Sequence, residues 1–129
     1  MTTSDNAILV YLRDCRVPLF VGIYDHEKPQ AQMVIIDVEA TAPLTQRYDD
    51  LKAGNIALII DYDRLYNFVV TVLPTLGHIP LLESVAERII SFCFEDKRIH
   101  EVLVRICKPE ILQGKASVGI EMRRKRKAA

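Results

Sequence analysis

The chain has 129 residues, enough for one ordinary domain and too few for a second with a core of its own. Half of them are hydrophobic and 26% charged, a balance that excludes disordered and fibrous classes. Lysine plus arginine (17) and aspartate plus glutamate (17) cancel, so the total implies no acidic partner; five of the positive charges form one run, Arg123 to Lys127, leaving a body with 12 basic and 17 acidic side chains.

At the N-terminus, Met1 to Asn6 is short and polar, with no basic run leading into an apolar core, so no secretory signal is expected. No stretch approaches the roughly 18 uninterrupted apolar residues of a membrane-spanning helix, and a soluble, cytoplasmic protein is the expectation. Apolar residues recur from Ile8 to Leu12, and β-branched and aromatic types continue to Ile23, which reads as a strand interrupted by Pro18. Residues 22–32 form a polar loop containing Asp25, His26, Glu27, Lys28 and Pro29. Met33 to Ala40 resumes a strand, with Val34, Ile36, Val38 and Ala40 on one face, and the two strands make a hairpin.

Thr41 to Asn55, with Pro43, Asp49, Asp50 and Gly54, has the composition of a long surface connection. Asp61 then stands as an N-cap, and Leu65, Phe68, Val69, Val72 and Leu73 recur at helical spacing until Pro74 and Gly77 stop the pattern. Pro80 falls in the first turn of a second helix, whose apolar stripe is Leu82, Val85, Ala86, Ile89 and Cys93. From Glu101 to Lys108 the period returns to two, with Val102, Val104 and Ile106 on one face, and Pro109 ends that strand. Ser117 to Arg123 alternates again, with Val118, Ile120 and Met122 opposite Glu121 and Arg123.

The order ββααββ predicts an α+β domain over residues 1–122: a four-stranded antiparallel sheet with both helices on one face. Its unpaired edges invite pairing between copies, and an oligomer that joins sheets into a barrel would create sites between subunits. Residues 123–129 are expected to be a solvated basic tail. No aromatic residue is interleaved with it and the body is acidic, so nucleic-acid binding is disfavoured.

Cys15, Cys93 and Cys107 are odd in number and far apart, which fits neither a disulfide framework nor a zinc site and suits a reducing compartment. His78 and His100 have no partner at metal-ligand spacing, no serine lies in a G-x-S-x-G turn, and the five glycines form no phosphate loop. Neither a metal nor a cofactor is expected.

Four side chains could carry chemistry. Lys108 continues the series Val102, Val104, Ile106 yet is charged; it either reaches solvent past the rim of the sheet or is a partly desolvated amine acting as acid or base. Glu83, in the first turn of the second helix, is either favoured there by the helix dipole or, flanked by Leu82, grips a planar amidine-like edge in an apolar pocket. Glu27 alone reads as a solvated loop residue, and Tyr62, following the cap, as a packing residue.

Taken together, Gly22-Ile-Tyr-Asp-His-Glu27 with Gln32, then Asp61-Tyr62, Leu81-Leu82-Glu83-Ser-Val-Ala86-Glu-Arg88-Ile, Lys108-Pro109 and Val118-Gly119-Ile120-Glu121 resemble the dihydroneopterin aldolase family. The resemblance spans nearly the whole chain and implies a tunnelling fold and a retro-aldol cleavage of 7,8-dihydroneopterin. The products would be 6-hydroxymethyl-7,8-dihydropterin and glycolaldehyde, formed in folate biosynthesis by a carbon-carbon lyase that uses neither a metal nor a lysine Schiff base. It also implies an octamer of two tetrameric rings. Lys108 then matches the family's proton donor and acceptor, and Glu83 the carboxylate on the amino-pyrimidinone edge of the pterin, with Leu82 in the adjacent wall. Tyr62 matches a tyrosine supplied across a subunit boundary, and Glu27 a loop glutamate near the hydroxylated side chain. One departure is a longer, more apolar spacer, Lys52 to Ile60, between Asp49-Asp50-Leu51 and Asp61-Tyr62. Two alternatives remain beside this function: a dihydroneopterin triphosphate epimerase, and a catalytically silent pterin-binding scaffold.

Overall fold

Two long strands, β1 (Ala7–Leu19) and β2 (Gln32–Pro43), form the expected hairpin; β3 (Glu101–Lys108) and β4 (Val118–Lys125) extend it into one antiparallel sheet in the order β1-β2-β3-β4. The computed structural model describes residues 6–27, 30–109 and 112–127. Residues 1–5 of the N-terminal segment, Lys28 and Pro29 of the first loop, and Ala128 and Ala129 of the expected tail lie outside the described residues.

Alternation decides which face is buried. Val34, Ile36 and Val38 of β2 and Val102, Val104 and Ile106 of β3 have no exposed surface, and they pack with Leu65, Val69, Leu73, Val85, Ala86 and Ile89 from the helical layer in one core. The α+β order ββααββ therefore holds. The opposite face is polar, with Arg105 between Asp37 (3.7 Å) and Glu121 (2.5 Å), and Arg123 on Glu101 (3.2 Å).

Four local expectations need correction. Pro18 does not interrupt β1; it pairs with Met33 on an edge strand, where a missing N–H can face outward. The irregularity lies between Leu12 and Cys15, where β1 spends one residue more than β2. Asp14 sits there at φ +55° and its amide donates to Asp37 Oδ1 at 2.7 Å, a bulge that sequence alternation cannot reveal.

The first helix is not uniform. α1 (Tyr62–Asn67) is capped by Asp61, whose side chain accepts from the Asp63 amide, and continues into a π turn (Phe68–Val72) and a 3-10 turn (Leu73–Leu76). Pro74 has no N–H for the carbonyl of Val70 and crowds it, and the Leu73 amide reaches back to Phe68 O instead.

α2 (Leu82–Cys93) starts after Leu81, so Pro80 precedes the helix instead of lying in its first turn. Ile79 is bridged to Val21 just beyond β1, its amide donating to Phe20 O (2.8 Å), and the residue before a proline is driven out of helical conformation.

The basic run is not a free tail from residue 123. Arg123, Arg124 and Lys125 pair with Leu103, Val102 and Glu101 as part of β4, and Arg124 forms a salt bridge with Glu87 of α2. The Arg126 guanidinium donates to the carbonyls of Phe94 (2.9 Å), Asp96 (3.0 Å) and Ile99 (2.9 Å). Positive charge at the C-terminal end of α2 is where free carbonyls accumulate, which explains the placement.

Candidate active site

The loop after β1 turns at Gly22, whose φ of +129° is a conformation that side-chain-bearing residues rarely adopt. A Cβ there would lie 2.4 Å from Glu27 Cδ, so the absence of a side chain lets Glu27 fold back over the backbone. Glu27 ends a 3-10 turn (Asp25–Glu27) and is only 4% exposed. Its Oε1 accepts from the Tyr24 amide (3.4 Å), while Oε2 accepts from Gln32 Nε2 (2.8 Å) and Lys108 Nζ (2.6 Å). Gln32, at the start of β2, is itself fixed by donating to Val21 O at 2.7 Å.

Lys108 is 8% exposed at the end of β3. It neither reaches open solvent nor stands as an isolated desolvated amine, because the first loop delivers a carboxylate to it. Glu27 correspondingly is not a solvated loop residue. The Lys108 ammonium, and after it the Gln32 amide, hold the Glu27 carboxyl at a pKa of about 2, so it is ionised at neutral pH. The pair is a buried proton donor and acceptor set with its orientation fixed from three elements. Burial pushes the Cys93 thiol up to about 12, which makes it a poor nucleophile.

Leu82 and Glu83 lie in the first turn of α2, Leu82 packed on the core and Glu83 exposed. Because Ile79 is bridged to Val21 and Gln32 donates to Val21, this helix start is at the same end of the fold as Lys108. Tyr62 is elsewhere. It is 60% exposed and lines a groove of about 520 Å³ with Ile8, Ala42, Ile59 and His100, beside the beginning of β3. Glu101 and Lys108 are the two ends of the 8-residue strand β3, roughly 23 Å apart at ~3.3 Å per residue step. Within one chain, then, Glu27 and Lys108 meet, Leu82 and Glu83 lie at their end, and Tyr62 does not join them.

Sequence reasoning gave no role to the residues that hold these groups. Gln32 was visible only as part of the motif around Gly22 and Glu27. Arg98, Gln46 and Tyr48, which bind the backbone of the spacer before Tyr62, carried no signal at all, since polar residues in connections are usually solvated.

A family model described as dihydroneopterin aldolase matches residues 10–123. Solved structures agree in fold. A Vibrio cholerae protein assigned as a dihydroneopterin aldolase superposes with a TM-score of 0.78 at 23% identity, over 92% of this chain and 98% of that one. The Escherichia coli dihydroneopterin aldolase, in complex with neopterin, gives 0.73 at 23% identity, over 91% and 98%. A Burkholderia thailandensis dihydroneopterin aldolase bound to guanine gives 0.76 at 25% identity, over 95% and 93%.

Proposed function

Given that the chain belongs to the dihydroneopterin aldolase family and is thereby a lyase of folate biosynthesis, we propose that Lys108 and Glu27 handle the protons of its retro-aldol reaction. The substrate is 7,8-dihydroneopterin, and the products are 6-hydroxymethyl-7,8-dihydropterin and glycolaldehyde. The carbon-carbon bond that breaks is adjacent to the ring imine. Its electrons flow into that imine to form an enamine, so the reaction calls for neither a metal nor a Schiff base at Lys108. One proton leaves the side-chain hydroxyl that becomes the aldehyde, and one arrives at the enamine carbon. The Lys108 ammonium gives its proton to the enamine carbon and is refilled by the hydroxyl proton, relayed through a bound water, with the Glu27 carboxylate ionised beside it throughout.

Glu83, with Leu82 as wall, grips the amino-pyrimidinone edge. Neopterin in the E. coli relative and guanine in the Burkholderia relative both carry that edge, which supports ring recognition of this kind. Tyr62 reaches the site of a neighbouring copy, because in its own chain it lies at the opposite end of the sheet from Lys108. That calls for a homo-oligomer joined through the edges of β1 and β4, with two stacked tetrameric rings as the form proposed. Three free thiols favour the reducing cytoplasm.

The buried Glu27–Lys108 contact at 2.6 Å carries the proposal. Purified protein mixed with 7,8-dihydroneopterin should release glycolaldehyde in proportion to the hydroxymethyl product. Failure to form either, with correctly assembled protein, would refute it.

A further inference from the structure

The spacer before Tyr62 is apolar, yet only its end rests on the core, through Ile60, while Ile56 and Ile59 are exposed. The stretch between is held by its backbone. Three successive carbonyls are taken by side chains from elsewhere in the fold. Arg98 Nη1 donates to Ala57 O (3.1 Å) and Nη2 to Ile59 O (2.9 Å), while the Tyr48 hydroxyl (2.7 Å) and Gln46 Nε2 (3.1 Å) both donate to Leu58 O. The spacer's own turn, Ile56–Leu58, adds the Asn55 cap on the Ala57 amide. Three residues after Ile59 the chain reaches Tyr62.

Arg98 is itself fixed before it meets the spacer. Asp96 engages it in a fork, Oδ1 accepting from Nε (2.9 Å) and Oδ2 from Nη2 (2.6 Å), and Oδ1 also takes the Arg98 amide (3.0 Å). The guanidinium holds the Asp96 carboxyl below its ordinary range. Asp96 lines the same small cavity as Asp61 and Tyr62, and the turn carrying both residues is locked from behind by Arg126. Arg98 is partly open to solvent, so it is this set of contacts, not burial, that fixes its geometry.

We propose that Arg98 is a positioning residue for catalysis: by binding the carbonyls of Ala57 and Ile59 it sets the angle at which Tyr62 is presented to a neighbouring copy's site. Lysine cannot replace it, since one ammonium does not span two carbonyls and an aspartate fork at once. The inference rests on the proposal that Tyr62 contributes to that site.

The test is a double-mutant cycle in the aldolase assay, on the full chain, with Arg98→Lys, Tyr62→Ala and the pair together. Arg98→Lys should lower kcat/KM for 7,8-dihydroneopterin by about tenfold or more, in the same parameter, kcat or KM, that Tyr62→Ala affects. Adding it to Tyr62→Ala should cost nothing further. Asp96→Asn should give a smaller loss of the same kind and serves where Arg98→Lys does not fold. Multiplying losses, or wild-type kinetics in Arg98→Lys and Asp96→Asn while Tyr62→Ala is impaired, would overturn the role of Arg98 alone. Wild-type kinetics in Tyr62→Ala would overturn the role of Tyr62 and this inference with it.

Discussion

Glu27 and Lys108, 81 residues apart in sequence, share a buried contact of 2.6 Å between Oε2 and Nζ, and the same carboxylate oxygen is held by Gln32. A buried pair of this kind is costly to break from one side, because the remaining charge is left without a partner, whereas removing both charges is far cheaper. Lys108→Met should therefore destabilise the fold by about 3–5 kcal/mol and lower turnover by roughly 10²- to 10⁴-fold. The double variant Lys108→Met with Glu27→Gln should recover most of the stability in urea unfolding and none of the turnover. Recovery of both would remove the pair from the chemistry.

The pH dependence of stability follows from the same contact. The Glu27 carboxyl is depressed in the folded protein to about 2 from its ordinary 4.5, so its stabilising contribution is present in full above pH 4.5 and is lost as pH falls toward 2. Glu87 and Asp96, each lowered by an arginine partner, act in the same direction. In Glu27→Gln the group cannot titrate. The stability gap between wild type and this variant should thus be constant near neutrality and narrow between pH 4.5 and 2, as followed by chemical denaturation. A gap that stayed constant to pH 2 would mean that the carboxyl is not held down by Lys108.

Gly22→Ala should damage the site without removing a charge. The new methyl group would meet Glu27 at 2.4–2.7 Å on a backbone at φ +129°, and strain at such a position costs about 1–3 kcal/mol. Turnover should fall together with stability, because the atoms displaced belong to Glu27. Gly54→Ala is the control, with nothing within 4 Å of the added carbon. Its melting temperature and kinetics should match wild type.

The core was legible because a strand buried on one face writes its period directly into the sequence: Val34, Ile36, Val38 and Val102, Val104, Ile106 could belong to nothing else. Lys108 stood out by continuing that series with a charge. Its partner did not, since Glu27 comes from a loop whose path depends on Gly22 and on tertiary contacts, and a loop glutamate is usually solvated. The bulge at Asp14 and the widened turn before Pro74 are likewise adjustments of backbone geometry that leave the apolar pattern intact. The basic run misled for a different reason. Charge density suggested solvation, but Arg124 and Arg126 find acceptors on α2 and the turn after it that only the folded chain brings near.

Glu83 offers a clean separation of binding from stability. It is exposed in the first turn of α2, so Glu83→Ala should change the melting temperature little. If its carboxylate takes two hydrogen bonds from the pterin edge, the loss is that of charged hydrogen bonds, about 1.5–3 kcal/mol each. Neopterin affinity by calorimetry should drop at least about tenfold, with KM rising more than kcat falls. Unchanged affinity would move ring recognition to other residues.

The placement of Tyr62 and Lys108 at opposite ends of one sheet leads to a test that needs no structure of the assembly. Under the proposed sharing of sites, Lys108→Met would spoil the site to which a subunit gives its lysine, and Tyr62→Ala the site to which it gives its tyrosine. In a closed ring of identical contacts these are different sites. Mixing the two impaired variants in equal amounts, dissociating them and letting them reassemble should place an intact lysine opposite an intact tyrosine in about a quarter of the sites, by random assortment around the ring. Activity should return toward that fraction of wild type, while each variant carried through the same treatment alone stays at its own low level. If the mixture gains no activity over the separate variants although exchange of subunits is verified by mass spectrometry, Tyr62 and Lys108 do not serve a common site built from two copies.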